Sequence, residues 1–471
     1  MSRNMINRSQ KVLLGRSVSI ALLSLTAAAC GGGAGASADA DGTNNSALSP
    51  LASGPRTYPD QPIDCSLPEM RNWVEANMFD YYLFYDQVAP VNKADYDSPE
   101  ALLRDMRVTP FDRFSFIGDA QASTALFDEG KLHGYGWQLR RTSESDVRIA
   151  FIYPRSPLAE VNVQRGDFLI AINGIHPLDL TAEQWDEFLG TGVEVRSPTF
   201  TFLDAAGNQR DLTVTRTEFE IDSVLDASVL PHAGVNVGYL AFTQFLETSN
   251  AELDTAFANF SQQNVSELVL DMRYNGGGRI SVANNLASKI AGPAYAGETF
   301  AEIAFNDKFS DENVPFQLTN SLNALSLDRL IVLSSGSTCS ASEMVINGLE
   351  PFIDVVQIGG KSCGKPYGQA PRQACGKQMS ALEIRFVNAN GSGDYFEGIP
   401  ADCGAVDILD HALGDPRESM LSAGLDYISN GVCNTTIAAD TTNRDFSGDR
   451  PNAGVQTWDP VEAEKTIFSG P

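Results

Sequence analysis

Leu330-Ile331-Val332-Leu333-Ser334-Ser335-Gly336-Ser337-Thr338-Cys339-Ser340-Ala341-Ser342-Glu343 reads as a buried strand, a turn and the start of a helix. Four consecutive apolar residues suit a strand covered on both faces, as in a parallel sheet. Ser340-x-x-Glu343 is a capping box, and the helix it opens runs to Leu349. The same serine has a second reading. Its hydroxyl would stand at a helix N-terminus beside unpaired backbone N–H groups, which stabilise the negative charge that develops in acyl transfer. Most such serines only cap helices, so this stretch decides the fold and leaves the chemistry open.

Working outward, the same unit repeats. Val237-Gly238-Tyr239-Leu240 is a strand and Asn250 to Phe260 a helix; Glu267 to Met272 is a buried strand and Ser281 to Ala291 a helix; Ile358-Gly359-Gly360 ends another strand. This alternation predicts an α/β domain over 219–432, with its chemistry at the carboxyl ends of the strands.

Two further segments fall at such ends. One is Leu270-Asp271-Met272-Arg273-Tyr274-Asn275-Gly276-Gly277-Gly278, the other Lys361-Ser362-Cys363-Gly364-Lys365-Pro366-Tyr367-Gly368-Gln369. With the Ser-Ala-Ser-Glu helix start, they resemble the carboxyl-terminal processing, or tail-specific, serine peptidase family. That family has a Gly-Lys motif 25 residues after the nucleophile and a Gln four beyond the Lys, and Ser340, Lys365 and Gln369 fit. Ser342 lies 23 residues from Lys365, and Lys361 only 21 from Ser340, so the spacing also chooses within pairs. Pro366 departs from the family's commoner Gly.

The resemblance implies a protease core of ClpP/crotonase-like βαβ units in which Ser340 is the nucleophile, Lys365 the general base and Gln369 the residue that orients the lysine. The backbone N–H groups of Gly277 and Ala341 would form the oxyanion hole. Serine needs a base to take its proton. A lysine serves only where burial disfavours its ammonium form, so the resemblance demands a buried Lys365. The chain's four histidines, His133, His176, His232 and His411, lie in no nucleophile-like context, and there is no Gly-x-Ser-x-Gly elbow for a Ser-His-Asp esterase.

Residues 131–218 change to short alternating strands and resemble a β-rich PDZ domain, preceding or inserted in the core. Gly134-Tyr135-Gly136-Trp137 looks like its carboxylate-binding loop. Ser156-Pro157-Leu158-Ala159 and Gly166-Asp167-Phe168-Leu169-Ile170-Ala171-Ile172-Asn173-Gly174 look like the strand-and-turn signature that follows. Such domains bind a peptide C-terminus as an added strand; the alternative is a spacer that binds nothing. Upstream, 61–130 reads as an N-terminal helical region, with Ser98-Pro99 as a helix start.

The 471 residues are 43% apolar, enough for ordinary cores in several domains, and carry a net charge of −27. No Lys/Arg-rich run occurs, which argues against a nucleic-acid partner. The beginning reads as an export signal over 1–29: Arg3, Arg8, Lys11 and Arg16, then an apolar run from Ser17 to Ala29, too short to span a bilayer. Ala27-Ala28-Ala29-Cys30 looks like a bacterial lipoprotein signal with Cys30 lipidated; the alternative is plain cleavage at the same site. Residues 30–60 read as a flexible tether and 433–471 as a polar tail.

Six cysteines besides Cys30, in an exported chain, favour disulfides, with Cys363–Cys375 and Cys403–Cys433 as the local pairs. The spacings hold no C-x-x-C, and neither a metal nor an organic cofactor is implied. The expected protein is therefore a cell-envelope peptidase, lipid-anchored or soluble and periplasmic, acting on proteins or peptides with a free C-terminus. Its rival is a catalytically silent peptide-binding lipoprotein on the same fold.

Overall fold

The computed structural model describes residues 61–143 and 145–433. The expected signal peptide, Cys30, the tether and the tail beyond Cys433 lie outside them. Among the described residues no helix is long and apolar enough to cross a membrane.

At the centre is a six-stranded sheet in the order Cys403–Gly404, Asp354–Gly359, Arg329–Ser334, Glu267–Asp271, Val235–Phe242, Val224–His232. All neighbours are parallel except the last pair, which is antiparallel. From Val235–Phe242 onward each new strand is laid on the same side of the one before. Crossovers of one hand then place their helices, Ser249–Gln262, Ile280–Ala291 and Ala341–Leu349, on one face. Alternate side chains serve the two faces. Leu240, Leu270 and Val332 join those helices in one apolar cluster, while Tyr239, Val269 and Ile331 pack against Met420 and Leu421 of the helix Ser419–Asn430 in another. This mixed α/β architecture is the one expected, and it brings three strand ends side by side.

The N-terminal region has the helices Leu67–Asp80, Pro99–Met106 and Ala120–Phe127. Ser98 caps the second as its sequence predicts, its Oγ accepting the Ala101 N–H at 3.2 Å. The region is not wholly helical, however. Phe116–Asp119 is a strand, antiparallel to Lys377–Ser380 with Phe116 opposite Ser380. Four residues carry too little local preference to reveal a strand whose partner lies so far along the chain.

Residues Lys131–Gly134 and Thr217–Glu220 pair as the entrance and exit of a separate β-rich module. Its five antiparallel strands run in chain order, Trp137–Arg141, Val147–Ile152, Phe168–Ile172, Thr199–Leu203 and Gln209–Thr213, with Trp137–Arg141 at one edge. The helix Ala182–Leu189 opens with the expected Thr181/Gln184 capping box. It packs Trp185 and Leu189 onto Trp137, Phe200 and Phe202, a core the module shares with nothing else.

Candidate active site

Three adjacent parallel strands end at one place. Glu267–Asp271 leads into the glycine turn at 276–278, Arg329–Ser334 into Ser340, and Asp354–Gly359 into the loop that carries Lys365. The first two are stitched together. Thr338 Oγ1 donates to the Met272 carbonyl at 2.8 Å, Ser342 Oγ to the Asn275 carbonyl at 3.0 Å, and the Cys339 N–H to that same carbonyl at 3.0 Å. Gly277, at φ +105°, lies so close that a Cβ on it would stand 2.8 Å from Ser340 Cβ and 2.9 Å from the Cys339 carbonyl. Only glycine allows that approach.

Ser340 sits at φ +56°, ψ −114°, immediately before the helix that begins at Ala341. Non-glycine residues seldom occupy positive φ, and they stay there only where the surroundings over-determine it. The surroundings here include Glu343, which is fully buried. One of its oxygens accepts the Ser340 N–H at 2.9 Å and the Lys365 N–H at 2.8 Å; the other accepts the Gly364 N–H at 2.7 Å and the Ser362 hydroxyl. Burial pushes its carboxyl pKa upward against these four bonds. The sequence revealed Glu343 only as a helix cap. A carboxylate has more acceptor sites than a cap uses, and here they tie the helix start to the lysine loop.

Lys365 is 5% exposed. Its Nζ donates to Gln369 Oε1 at 3.0 Å and lies 5.3 Å from the centre of the Phe114 ring. The Gln369 amide nitrogen donates to the carbonyls of Phe114 and Ser380, each at 2.9 Å. With both N–H bonds committed, the amide oxygen must face the lysine. Phe114 thus contributes a wall and a carbonyl, and nothing in its local sequence marks it for either.

Ser340, Lys365, Gln369, Gly276 and Gly278 line one cavity of about 430 Å3, whose remaining wall includes Phe116, Phe127, Ile280, Ile384 and Phe386. No histidine lines it. The Gly277 N–H, expected in the oxyanion hole, is instead donated to Asn275 Oδ1 at 2.9 Å. It is the flanking glycines that face the cavity. The asparagine side chain two residues back, unremarked in the sequence, takes this donor.

Residues Gly134 to Trp137 do not line the cavity. The Tyr135 and Trp137 rings are buried in the β-rich module against Phe200. The Tyr135 and Gly136 carbonyls accept the N–H groups of Leu158 and Tyr153. Gly136 holds φ +84° with Ser156 directly against its α-carbon, leaving no room for a side chain.

The cysteines pair as Cys65–Cys375, Cys339–Cys363 and Cys403–Cys433. The last is as expected, but the Cys363–Cys375 bridge is not formed. The Cys363 N–H donates to the Thr338 carbonyl, which sets Cys363 beside Cys339, while Cys375 sits at the tip of the Arg372–Ala374/Lys377–Ser380 hairpin against Cys65. The one trio of metal-type ligands among the described residues is Cys339, Glu343 and Cys363. It consists of this disulfide and the carboxylate already holding four donors.

The chain matches the model for Peptidase family S41 over residues 236–403 and that for the Peptidase S41 N-terminal domain over 69–116. It is 24% identical over 325 residues to a carboxyl-terminal-processing protease of Synechocystis sp., spanning 67% of this chain and 72% of that one. It is 26% identical over 273 residues to a chloroplastic C-terminal processing peptidase of Tetradesmus obliquus, where it spans 56% of the relative's length. A Bacteroides fragilis crystal structure assigned to the S41 proteases superposes with TM-score 0.62 over 80% of this chain and 99% of that one, at 24% identity, a likeness of fold. Both models and the curated relatives point the same way: residues 69–116 and 236–403 of this chain are similar to peptidase family S41.

Proposed function

We propose that this protein is an exported serine endopeptidase that works through an acyl-enzyme on Ser340, with Lys365 as its general base. The observation that carries the reading is the buried Lys365, its Nζ on Gln369 Oε1, in the same cavity as Ser340. Burial favours the neutral amine, which takes the Ser340 hydroxyl proton as Oγ attacks the scissile carbonyl. Negative charge on the carbonyl oxygen is met by the Ala341 N–H at the helix N-terminus and by an N–H of the glycine turn. The lysine returns its proton to the leaving amine, and water then releases the acyl group by the same route.

The β-rich module is a PDZ-like domain in this reading. Its strand Trp137–Arg141 lies at one edge of the sheet, and in this reading a substrate C-terminus adds to the module as a further strand, beside the Gly134–Trp137 loop. The apolar side chains in the cavity wall favour substrates with apolar residues at the cleaved bond. An envelope location follows from the N-terminal signal and the disulfides.

Proteolysis of an unstructured protein with an apolar C-terminus tests the mechanism. Ser340→Ala and Lys365→Ala should each lower kcat by at least about 10³-fold, as loss of either half of a nucleophile–base pair does. Full activity in Lys365→Ala excludes the lysine base. An inactive wild type across substrates with varied C-termini points instead to a silent peptide-binding protein.

A further inference from the structure

The Cys339–Cys363 disulfide joins the residue before Ser340 to the residue two before Lys365, across a sequence separation of 24. Its place is singular among the three bridges. Cys65–Cys375 ties the N-terminal region to a hairpin tip, and Cys403–Cys433 ties the last strand of the sheet to the end of the final helix. Only Cys339–Cys363 spans from the nucleophile segment to the base segment.

Ser340 must hold a positive-φ backbone in a segment with no regular structure before it. On its helical side Glu343 binds the Ser340 and Lys365 N–H groups, so one brace already joins the two segments. On the other side the brace is covalent. Cys339 is 1% exposed and sits in the apolar cluster that the N-terminal region shares with Tyr367, Met379 and Leu382. Cys363 is held from outside as well, since its N–H donates to the Thr338 carbonyl and its carbonyl accepts from Arg113. Carboxylate and disulfide close a ring of chain that contains both Ser340 and Lys365, so neither can shift without the other.

Resting on the Ser340/Lys365 reading, we infer that the Cys339–Cys363 disulfide is a positioning crosslink that sets the nucleophile against its base, so that peptide hydrolysis depends on that bridge being closed. Angström-scale misplacement of reacting groups costs on the order of a hundredfold in rate. Loss of the bridge should therefore appear in kcat far more than in folding.

The test compares full-length Cys339→Ala/Cys363→Ala with Cys403→Ala/Cys433→Ala, which removes a bridge away from the cavity. Cysteine pairing is mapped by non-reducing digestion, and folding is followed by circular dichroism. The first variant should lose roughly thirtyfold or more in kcat with KM within about threefold. The acid limb of its kcat profile should move to higher pH, because a less confined Lys365 is better hydrated. The distal variant should keep wild-type kcat and profile even where its melting temperature falls.

If the first variant does not fold, wild type treated with a dithiol decides. The dithiol gives two electrons and two protons to the bridge and closes to its own disulfide, leaving two cysteine thiols. Folded protein whose Cys339 and Cys363 have become alkylatable should have lost kcat and should regain it on reoxidation. Unchanged kcat with that bridge open, equal losses in both variants, or free thiols at 339 and 363 in the active native protein would overturn the inference. An inactive wild type would instead overturn the underlying mechanism, which separates the two failures.

Discussion

The N-terminal region and the β-rich module both lean on the α/β core, by opposite means. The N-terminal region has no core of its own. Trp73, Tyr82, Leu102 and Phe114 share one apolar cluster with Cys339, Tyr367, Met379 and Leu382, and a strand pairing and the Cys65–Cys375 bridge close the joint. The module keeps one apolar core to itself and meets the α/β core through a small apolar patch, Phe151 and Tyr153 with Leu246 and Tyr274, and through a row of arginines. Arg165 bonds Asp407, Glu418 and the Tyr274 hydroxyl, Arg140 bonds Asp407, and Arg148 donates to the carbonyls of Ile408 and Leu409. An apolar joint cannot open without admitting water to Lys365. A seam that is mostly charged parts more readily, because each ion regains its hydration. One region is thus a wall of the site and the other an attachment to it.

That contrast can be broken by experiment. The largest effect should come from Phe114→Ala. It removes the ring beside Lys365 and leaves a gap in the shared cluster, at a cost of about 3 kcal/mol in stability. It should also lower kcat roughly a hundredfold as water reaches the lysine, although the Phe114 carbonyl that holds Gln369 is kept. Chemical denaturation and peptide turnover would measure the two, and a stable, fully active variant would show that the N-terminal region is no wall. Arg165→Ala should act differently. Hydrogen exchange should rise along the module's seam at 148–167 and at 407–418, while kcat on a short unstructured peptide changes by about threefold or less. A hundredfold loss there would show that the seam, too, belongs to the site.

The mildest perturbation is acid. Burial alone would raise the Asp407 pKa, but Arg165, Arg273 and Arg140 hold it well below its ordinary value of 3.8. Its contribution to the seam is therefore complete above about pH 4 and fades as pH falls further. Protection against exchange at the seam, corrected for the intrinsic rate at each pH, should fall as pH drops below about 4 and before the core begins to unfold; simultaneous opening of both would contradict the division.

The sequence carried what is local or periodic. The apolar runs at 267–272 and 330–333, the caps at Ser98 and Thr181, and the order of strands and helices could all be read, because each depends on neighbours a few residues away. The Ser340, Lys365 and Gln369 segments stood out through their resemblance to a peptidase family's motifs, and all three residues line one cavity. What could not be read depends on distant partners. The strand Phe116–Asp119 exists because residues 377–380 lie beside it, Phe114 matters through Lys365 and Gln369 some 250 positions away, and Asn275 is turned to take the Gly277 N–H by donating its amide to the Phe242 carbonyl, 33 residues earlier. The missed cysteine pairing has the same origin. Nearness along the chain favoured Cys363 with Cys375, but Cys375 turns away on a hairpin tip to meet a cysteine 310 residues earlier.

The joint between the N-terminal region and residues 363–382 also sets a schedule. A ribosome makes this chain N-terminus first. Cys65, Leu83 and Phe114 emerge long before Cys375, Leu382 and Gln369, the residues they bond. Until the later segment arrives, the apolar cluster of residues 70–117 lacks the part that Cys339, Tyr367, Met379 and Leu382 supply, and Lys365 does not yet exist to be buried. In the proposed reading a half-made molecule therefore has no assembled centre, and part of its apolar surface stays exposed until the later segment is made.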